Sequence, residues 1–437
     1  MIFKKIYFCV ILLVIFACGN ESPTTQDIKP SPTIPTNPTE TTVIGSNVSS
    51  PTLEVAPSPT ELNPPLDTLP SPIATSQPHG PSHHLAGEAI KLDQISMADT
   101  TNGWGLSGAE VFVTTDGALT WSEVTPPQEL PSDSKIQTQG YFLDQSTAWI
   151  IFSINDQIPT DAVIWHTTNA GETWMPSAPL NHEAYGDQVW AEFSAFDATH
   201  AWLMIRGVYV GAGTHYATQF FRTTDGGLTW MPLIGDVGND YTGLVFESAD
   251  NGLLTWQTTG AYASAPPDYA ITIDGAINWT IKELPPPQEA PNIFETSPYC
   301  ESYQPRFLPD HSIRILVGCF DEYDPPHIFS SYLYASSDIG RTWTSIRLPD
   351  SILGSNTTIQ FYGLNEGLLL SRKLYWSHDG GKTWSDVKTV YWDGQFSFPT
   401  ISNGWAIARS EGKSALVETG DFGQTWVEIK PVVAHKP

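Results

Sequence analysis

One eight-residue phrase recurs seven times along the chain and constrains its fold more than any other feature. Successive copies lie 41 to 64 residues apart. The copies are TTDGALTW, TTNAGETW, TTDGGLTW, TIDGAINW, SSDIGRTW, SHDGGKTW and TGDFGQTW, which end at Trp121, Trp174, Trp230, Trp279, Trp343, Trp384 and Trp426. A period of about 40 to 50 residues with short β segments is typical of a propeller, because each unit must bury its apolar faces against its neighbours.

A second phrase precedes each copy. It is rich in Gly, Trp and aliphatic residues, as in GWGLS at 103 to 107 and GWAIA at 404 to 408, with a looser version in DHSIRILVG at 310 to 318. Each unit therefore contains four short strands, named A to D from the inside outward, and the eight-residue phrase joins strands C and D. The sequence predicts an all-β fold, a single seven-bladed β-propeller with four-stranded blades.

The eight-residue phrase has the chemistry of a tight turn. Asp225 can accept hydrogen bonds from backbone N–H groups, Gly227 can adopt the left-handed conformation, and Trp230 can return to the apolar space between blades. We therefore assign a structural role to the seven acid or amide positions. We expect hairpins that are looser but still closed where Ala118 and Ala276 replace glycine and where Asn169 replaces the acid. The seven positions are Asp116, Asn169, Asp225, Asp274, Asp338, Asp379 and Asp421.

These phrases resemble the Asp-box, or BNR, repeat. The resemblance covers residues 88 to 431 and, with the GW phrase before T-x-D-G-G-x-T-W, is strongest to the photosystem II assembly and stability factor group. It is more distant to sialidases, sortilin-type receptors and xyloglucan-cleaving glycosidases. The resemblance implies a binding or assembly function, with a glycosidase as the alternative.

The N-terminal region precedes the repeats and has a different composition. Residues 1 to 18 carry two lysines, an apolar run and Ala17-Cys18, the order of a lipoprotein signal peptide, so we expect lipid on Cys18. Ordinary cleavage or an uncleaved anchor are the alternatives. Residues 19 to 85 are rich in Pro, Thr and Ser, which predicts a disordered linker before a propeller at 86 to 437. The predicted location is the outer face of a bacterial membrane, or the secreted fraction.

Charge and cysteine content exclude several classes of function. A formal net charge of -27 disfavours a phosphate-binding surface, so we expect no nucleic-acid partner. Cys300 and Cys319 are the only cysteines beyond the signal, and an extracytoplasmic chain would pair them. No zinc spacing or phosphate loop is present, so we predict no metal and no cofactor. The acidic residues Asp321, Glu322 and Asp324 are best explained as a solvated group.

Loop length distinguishes the two ends of the predicted propeller. The A–B turns and the C–D repeats share one end and are nearly uniform, whereas the B–C and D–A connections at the other end vary. Blades 2 to 5 carry long B–C connections, which predicts one raised ledge, and the alternative is merely ordered surface loops. The ledge residues predicted to bind a partner are Tyr209, His215, Tyr216, Tyr262, Tyr269, Tyr323 and His327.

A column of polar residues near the start of each strand A is a second candidate. It includes Gln139, Glu192 and Gln304, which could bind a polar group at the mouth of the channel, although solvated strand starts explain them as well. The full column is Gln94, Gln139, Glu192, Gly243, Gln304, Thr358 and Gln395.

Catalysis is the less favoured interpretation. A sialidase needs three converging arginines, and of eight arginines only Arg306 falls on a predicted inner strand. We name no catalytic residue. The sequence therefore favours a membrane-anchored binding or assembly propeller that engages a protein or glycan through its B–C and D–A loops, with a sialidase-like glycoside hydrolase or glycan-binding surface protein as the alternative.

Overall fold

The computed structural model describes residues 75–182, 190–210, 215–233, 241–256, 266–323, 326–349 and 357–434. The chain divides into two units, Met1–Asp67 and Thr68–Pro437, and every described residue belongs to the second. No helix among these residues is long and apolar enough to cross a membrane.

Seven antiparallel sheets follow one another along the second unit, which confirms the predicted seven-bladed, all-β propeller. A short strand β1 (Gln77–Pro78) comes first. Blades 1 and 2 contain β2 (Gln94–Met97), β3 (Gly103–Ser107), β4 (Glu110–Thr114), β5 (Thr120–Glu123), β6 (Ile136–Phe142), β7 (Ala148–Ile154), β8 (Trp165–Thr167) and β9 (Thr173–Pro176). Blades 3 and 4 contain β10 (Trp190–Ala195), β11 (Ala201–Val210), β12 (His215–Thr223), β13 (Met231–Leu233), β14 (Tyr241–Phe246), β15 (Gly252–Trp256), β16 (Asp268–Thr272) and β17 (Thr280–Glu283).

Blade 5 differs from the others because its inner strand is divided in two and follows the one described helix, α1 (Ile293–Thr296). Its strands are β18 (Tyr299–Ser302), β19 (Arg306–Phe307), β20 (Ile313–Tyr323), β21 (Pro326–Ser336) and β22 (Thr344–Arg347). Blades 6 and 7 contain β23 (Thr358–Tyr362), β24 (Glu366–Leu370), β25 (Lys373–Ser377), β26 (Ser385–Thr389), β27 (Asp393–Ser397), β28 (Gly404–Ser410), β29 (Lys413–Thr419) and β30 (Val427–Ile429), and β31 (Val432–Val433) follows them.

Apolar side chains on both faces of the sheets hold neighbouring blades together. Between blades 2 and 3, for example, Trp149 and Leu203 are fully buried in one cluster with Phe221 and Trp230. Strands buried on both faces lose the simple alternation of polar and apolar residues, and all five residues of β15 are buried. Neighbouring inner strands contact one another, as β6 does β10, β10 does β14 and β27 does β2, and a propeller arranges such strands around a central channel.

All seven copies of the repeated phrase form the same turn. In blade 3, the Thr229 N–H donates to Asp225 Oδ1 at 3.0 Å, and the Gly227 N–H donates to Thr223 Oγ1 at 2.8 Å. The two residues that follow the acid or amide have positive φ in every copy. Ala118 and Ala276 adopt φ of 71° and 74° and keep the corresponding N–H bonds, so their hairpins are closed, as expected, but are not looser. The turn's hydrogen bonds offset the strain of a left-handed alanine.

The ring closes between blades 7 and 1. The core between blades 7 and 1 joins Trp405 and Ile407 to Ile95 and Trp121. Strand β31 continues from blade 7 and pairs in parallel with β5, so each of these blades is complete without exchanging a strand. Closure therefore relies on an added fifth strand.

Ordered contacts begin earlier than the predicted boundary at residue 86. Strand β1 pairs with β9 at the outer edge of blade 2, and residues 79 to 90 run from there to the edge of blade 1. The linker that we predicted for residues 19 to 85 is therefore too long at its C-terminal end. Its composition misled the prediction because this segment is held by backbone pairing and by His–Glu contacts, which need few apolar residues. We call residues 77 to 90 the strap.

Candidate functional site

Two long B–C hairpins distinguish one end of the propeller from the other. Strands β11 and β12 run to residues 210 and 215, and β20 and β21 run to residues 323 and 326, so both hairpins extend beyond the sheets of their blades. The B–C connections of blades 1, 6 and 7 are two-residue turns. We call the end that carries the two long hairpins the hairpin face.

A disulfide fastens the longest D–A connection to the second hairpin. Cys300 on β18 and Cys319 on β20 are directly paired across the sheet and joined with an S–S distance of 2.05 Å. The Ser297 hydroxyl donates to the Phe320 carbonyl oxygen at 2.6 Å, and the Tyr334 hydroxyl donates to the Pro285 carbonyl oxygen at 2.7 Å. The connection that contains α1 is thus fixed near both of its ends to the sheet of blade 5.

The predicted ledge of four consecutive blades is only partly found. The B–C connection of blade 2 folds back on the protein, because Ile158, Ala162 and Ile164 are buried in the core between blades 2 and 3. An apolar residue every few positions made this segment part of the core, which loop length alone did not reveal. Among the described residues, the raised part of the face consists of the hairpins of blades 3 and 5.

The predicted ledge residues fall into three groups. Tyr209, His215 and Tyr216 lie on β11 and β12, and Tyr323 and His327 lie on β20 and β21, all in the extended parts of the two hairpins. Tyr262 lies outside the described residues.

The assignment of Tyr269 to the ledge is wrong, because this residue lies in the core. Its side chain is 2% exposed, its hydroxyl donates to the Gly340 carbonyl oxygen at 2.7 Å, and it accepts the Trp343 indole N–H at 3.0 Å. Burial raises the pKa of Tyr269. Tyr269 of blade 4 thus supports the repeated turn of blade 5. The sequence alone does not distinguish such a structural tyrosine from one that binds a partner.

Polar side chains at the starts of the inner strands connect successive blades. Gln139 of blade 2 accepts a hydrogen bond from the Ala191 N–H of blade 3. Gln395 of blade 7 accepts the Ile95 N–H of blade 1 at 2.9 Å and donates to the Ile95 carbonyl oxygen at 3.0 Å. These amides satisfy backbone groups that have no partner within their own sheet. The sequence offered two explanations for these residues, a ligand-binding ring and solvated strand starts. The contact between blades is a third role.

Glu192 is the centre of a charged cluster at the channel mouth beneath the β11–β12 hairpin. Its carboxylate lies 3.2 Å from Arg206 Nη2 and 3.5 Å from Gln304 Nε2. The contact with Gln304 crosses blade 4, where Gly243 leaves room, since a Cβ there would lie 2.4 Å from the Gln304 Cα. Burial raises the pKa of Glu192, and the charges of Arg206 and Arg306 oppose that rise.

Arg306 adds a second arginine to this cluster. Burial lowers the pKa of its guanidinium, while Tyr141 and Glu192 favour the charged form. Among the described residues, no side chain or carbonyl group makes a hydrogen bond to it. Sequence reasoning missed Tyr141 and Arg206 as members of this cluster. Tyr141 follows Gln139 by two residues, and that period of two was the available signal.

The acidic residues of the repeats do not form such a site. Each is engaged by its own turn, and hydrogen bonds from the Thr342 hydroxyl and backbone N–H lower the pKa of Asp338 to about 2. Asp379 has the same environment, with its pKa also lowered to about 2 by Thr383. Because each repeat lies in a different blade, these carboxylates are distributed around the end opposite the hairpin face.

No family model and no curated protein matches this chain. Among solved structures it is similar to YCF48 bound to a D1 peptide, with 20% identity and a TM-score of 0.45 over 78% of this chain and 99% of that one. It is also similar to YCF48 from Cyanidioschyzon merolae, with 16% identity and a TM-score of 0.44 over 77% of this chain and 97% of that one. A third similar structure is an α-L-arabinofuranosidase from Fusarium graminearum in complex with an iminosugar inhibitor. It has 12% identity and a TM-score of 0.40 over 69% of this chain and 96% of that one. The propeller fold itself rests on the order of the sheets.

Proposed function

We propose that this chain is an extracytoplasmic binding propeller. A lipid on Cys18 holds it at the outer face of a bacterial membrane, the segment before the strap is its tether, and a protein partner binds the hairpin face. The observation that carries the proposal is the lengthening of β11–β12 and β20–β21 on one end only, beside three blades with two-residue turns.

The hairpin face has the properties that a partner surface requires. A standard protein interface covers about 800 Å² on each partner, more than one tight turn supplies. The two hairpins flank blade 4, and each is held by the pairing of its own two strands. The Cys300–Cys319 disulfide also fixes the second hairpin at its base. Such a platform loses little conformational freedom on binding. Tyr216 and Tyr323 are aromatic residues of the kind that often dominate such interfaces.

A glycosidase remains the alternative because tyrosine, glutamate and arginine occur together at the channel mouth. Glu192 is, however, already engaged by Arg206, Gln304 and the Leu244 backbone N–H, and these contacts hold three blades together. We therefore expect no turnover of fluorogenic sialosides or arabinosides by the full chain. Turnover that disappears in Glu192→Gln, with the melting temperature unchanged, would reverse the ranking.

The anchor is tested separately from the binding surface. The wild-type chain should incorporate labelled palmitate and partition into detergent, and Cys18→Ala should do neither. Labelling that persists in Cys18→Ala would show that the lipid attachment is wrongly assigned, without bearing on the hairpin face.

Site-specific photo-crosslinking in cells tests the binding surface. A photoreactive residue placed at 216 or 323 should capture the same partner protein. Phe196 provides a matched control, because it is an aromatic residue of blade 3 that is 44% exposed on the opposite end. A partner captured from position 196 but from neither hairpin would refute the assignment of the face.

A further inference from the structure

The strap meets blade 1 through histidine and glutamate side chains. His83 Nδ1 lies 2.6 Å from Glu123 Oε1, and the His83 backbone N–H donates to Glu123 Oε2 at 2.7 Å. The Ser82 hydroxyl lies 3.1 Å from the same Oε2. The Glu123 side chain is only 1% exposed, whereas the His83 side chain is 61% exposed. The strap therefore covers a carboxylate that belongs to the outer strand of blade 1.

The neighbouring histidine extends this group toward a second carboxylate. His84 Nε2 lies 3.0 Å from Glu110 Oε2 on β4. Its other ring nitrogen, Nδ1, is buried and lies 3.4 Å from Glu88 Oε1, so the ring is flanked by two carboxylates. The strap thus brings two histidines against the carboxylates of β4 and β5.

Three of these residues bring ligand atoms together from three separate segments. One ligand atom each from His83, Glu110 and Glu123 lies within 4.8 Å of the other two. Tetrahedral zinc, at about 2.0 to 2.2 Å from each ligand, holds ligand atoms about 3.3 Å apart. The exposed His83 ring can close this distance by exchanging its contact with Glu123 for the metal. Imidazole with carboxylate favours zinc and similar transition metals over calcium or magnesium.

The other His–acid contacts in the described part of the chain differ from this arrangement. His378 with Glu366, His311 with Glu247 and His200 with Asp197 are each a pair with no third ligand-bearing residue converging on it. The Glu247 side chain is itself 8% exposed, so a buried carboxylate alone does not distinguish the strap cluster. The convergence of a third ligand-bearing residue does.

We propose that His83, Glu110 and Glu123 bind a divalent zinc-class metal. The metal would fasten the strap to β4 and β5, and so fix the point at which the tether leaves the propeller. The metal-free prediction from the sequence would then be wrong, because the ligands are separated by 27 and 13 positions and match no short motif.

Calorimetric titration of the EDTA-treated full chain with ZnCl2 tests this proposal. We expect one site, and we expect His83→Ala and Glu110→Gln each to weaken zinc binding by more than about tenfold, since even outer contacts of a metal site cost that much. Glu123→Gln should do the same, but its burial could also disturb the edge of blade 1. The two more exposed variants therefore carry the test, with melting temperatures in EDTA compared to the wild type.

His378→Ala is the matched control and should leave zinc affinity unchanged. Excess CaCl2 or MgCl2 should not displace the zinc. The proposal is overturned if the wild type binds no zinc, if folded His83→Ala and Glu110→Gln bind it as the wild type does, or if His378→Ala weakens binding to the same extent.

Discussion

The repeated turn offers an exchange experiment, because blade 2 carries an amide where blade 3 carries an acid. Asp225 accepts the Thr229 N–H at 3.0 Å and the Thr229 hydroxyl at 2.6 Å. Asn169 accepts the Thr173 N–H at 3.0 Å, but its Nδ2 donates to the Thr173 hydroxyl at 3.0 Å. The amide therefore keeps both contacts and reverses one of them.

The expected free energies follow from these contacts. Asp225→Ala leaves the Thr229 N–H and two hydroxyl donors without their acceptor, which should lower the free energy of unfolding by about 1 to 3 kcal/mol. Asp225→Asn loses only the charge assistance of bonds at a partly exposed site, and should cost about 0.5 to 1 kcal/mol. The reverse exchange, Asn169→Asp, should stabilise the protein by a similar amount.

The same exchange predicts a dependence on pH. Burial alone would raise the pKa of Asp225, but hydrogen bonds from Thr229 and Thr223 more than offset it and lower the pKa. A carboxyl with a lowered folded pKa stabilises the protein above its unfolded pKa of about 3.9, and this stability is lost as the pH falls toward the folded value. The advantage of wild type over Asp225→Asn should therefore shrink below about pH 4.

Urea unfolding followed by tryptophan fluorescence measures all three variants. The turn account predicts the order of stability wild type, Asp225→Asn, Asp225→Ala at pH 7. Equal losses in the last two, or a destabilising Asn169→Asp, would show that the hydrogen-bonded turn is not what the acid contributes.

Three further predictions concern the core and the disulfide. His166 is 2% exposed, stacks on a tryptophan and has no hydrogen bond to either ring nitrogen, and burial lowers its pKa to about 4. The unfolded chain binds this proton near pH 6.5, so stability should fall by about 3 kcal/mol between pH 6.5 and 4, and His166→Phe should remove that loss in urea unfolding. Trp230→Ala should lower the free energy of unfolding by about 3 to 5 kcal/mol. Trp230→Phe should lower it less than Trp174→Phe, because of these two indoles only that of Trp174 donates its N–H to a carbonyl group. Replacing Cys300 and Cys319 by serine removes a disulfide that spans 19 residues and should lower the free energy of unfolding by about 3 kcal/mol. Thiol alkylation of both cysteines in the wild type would contradict this.

The fold was predictable because its information is local and repeated. Each turn needs an acceptor, two left-handed residues and an indole within eight positions, and such a pattern is readable without tertiary context. Ile339 and Phe422 adopt φ of 57° and 67° in the same turn, although side chains are disfavoured there. The hydrogen bonds of the turn therefore override local preference, which explains why replacing a glycine did not loosen it.

The closure of the ring and the channel cluster were not predictable, because neither has a local signal. Strands β1 and β31 contain two residues each, which is too short for any periodic pattern. Arg206 lies beside Glu192 only through the register of β10 and β11. Tyr269 has the sequence context of a loop tyrosine, but the packing of blade 4 against blade 5 buries it.

The central claim is that the repeats stabilise the propeller and the hairpin face binds the partner. A paired measurement on the protein captured by crosslinking tests it directly, with dissociation constant and free energy of unfolding determined for Tyr323→Ala and Asp225→Asn. We predict that Tyr323→Ala weakens binding by about 1 to 3 kcal/mol with unchanged stability, and that Asp225→Asn lowers stability with an unchanged dissociation constant. A folded Asp225→Asn that loses binding, beside a Tyr323→Ala that binds normally, would contradict the account.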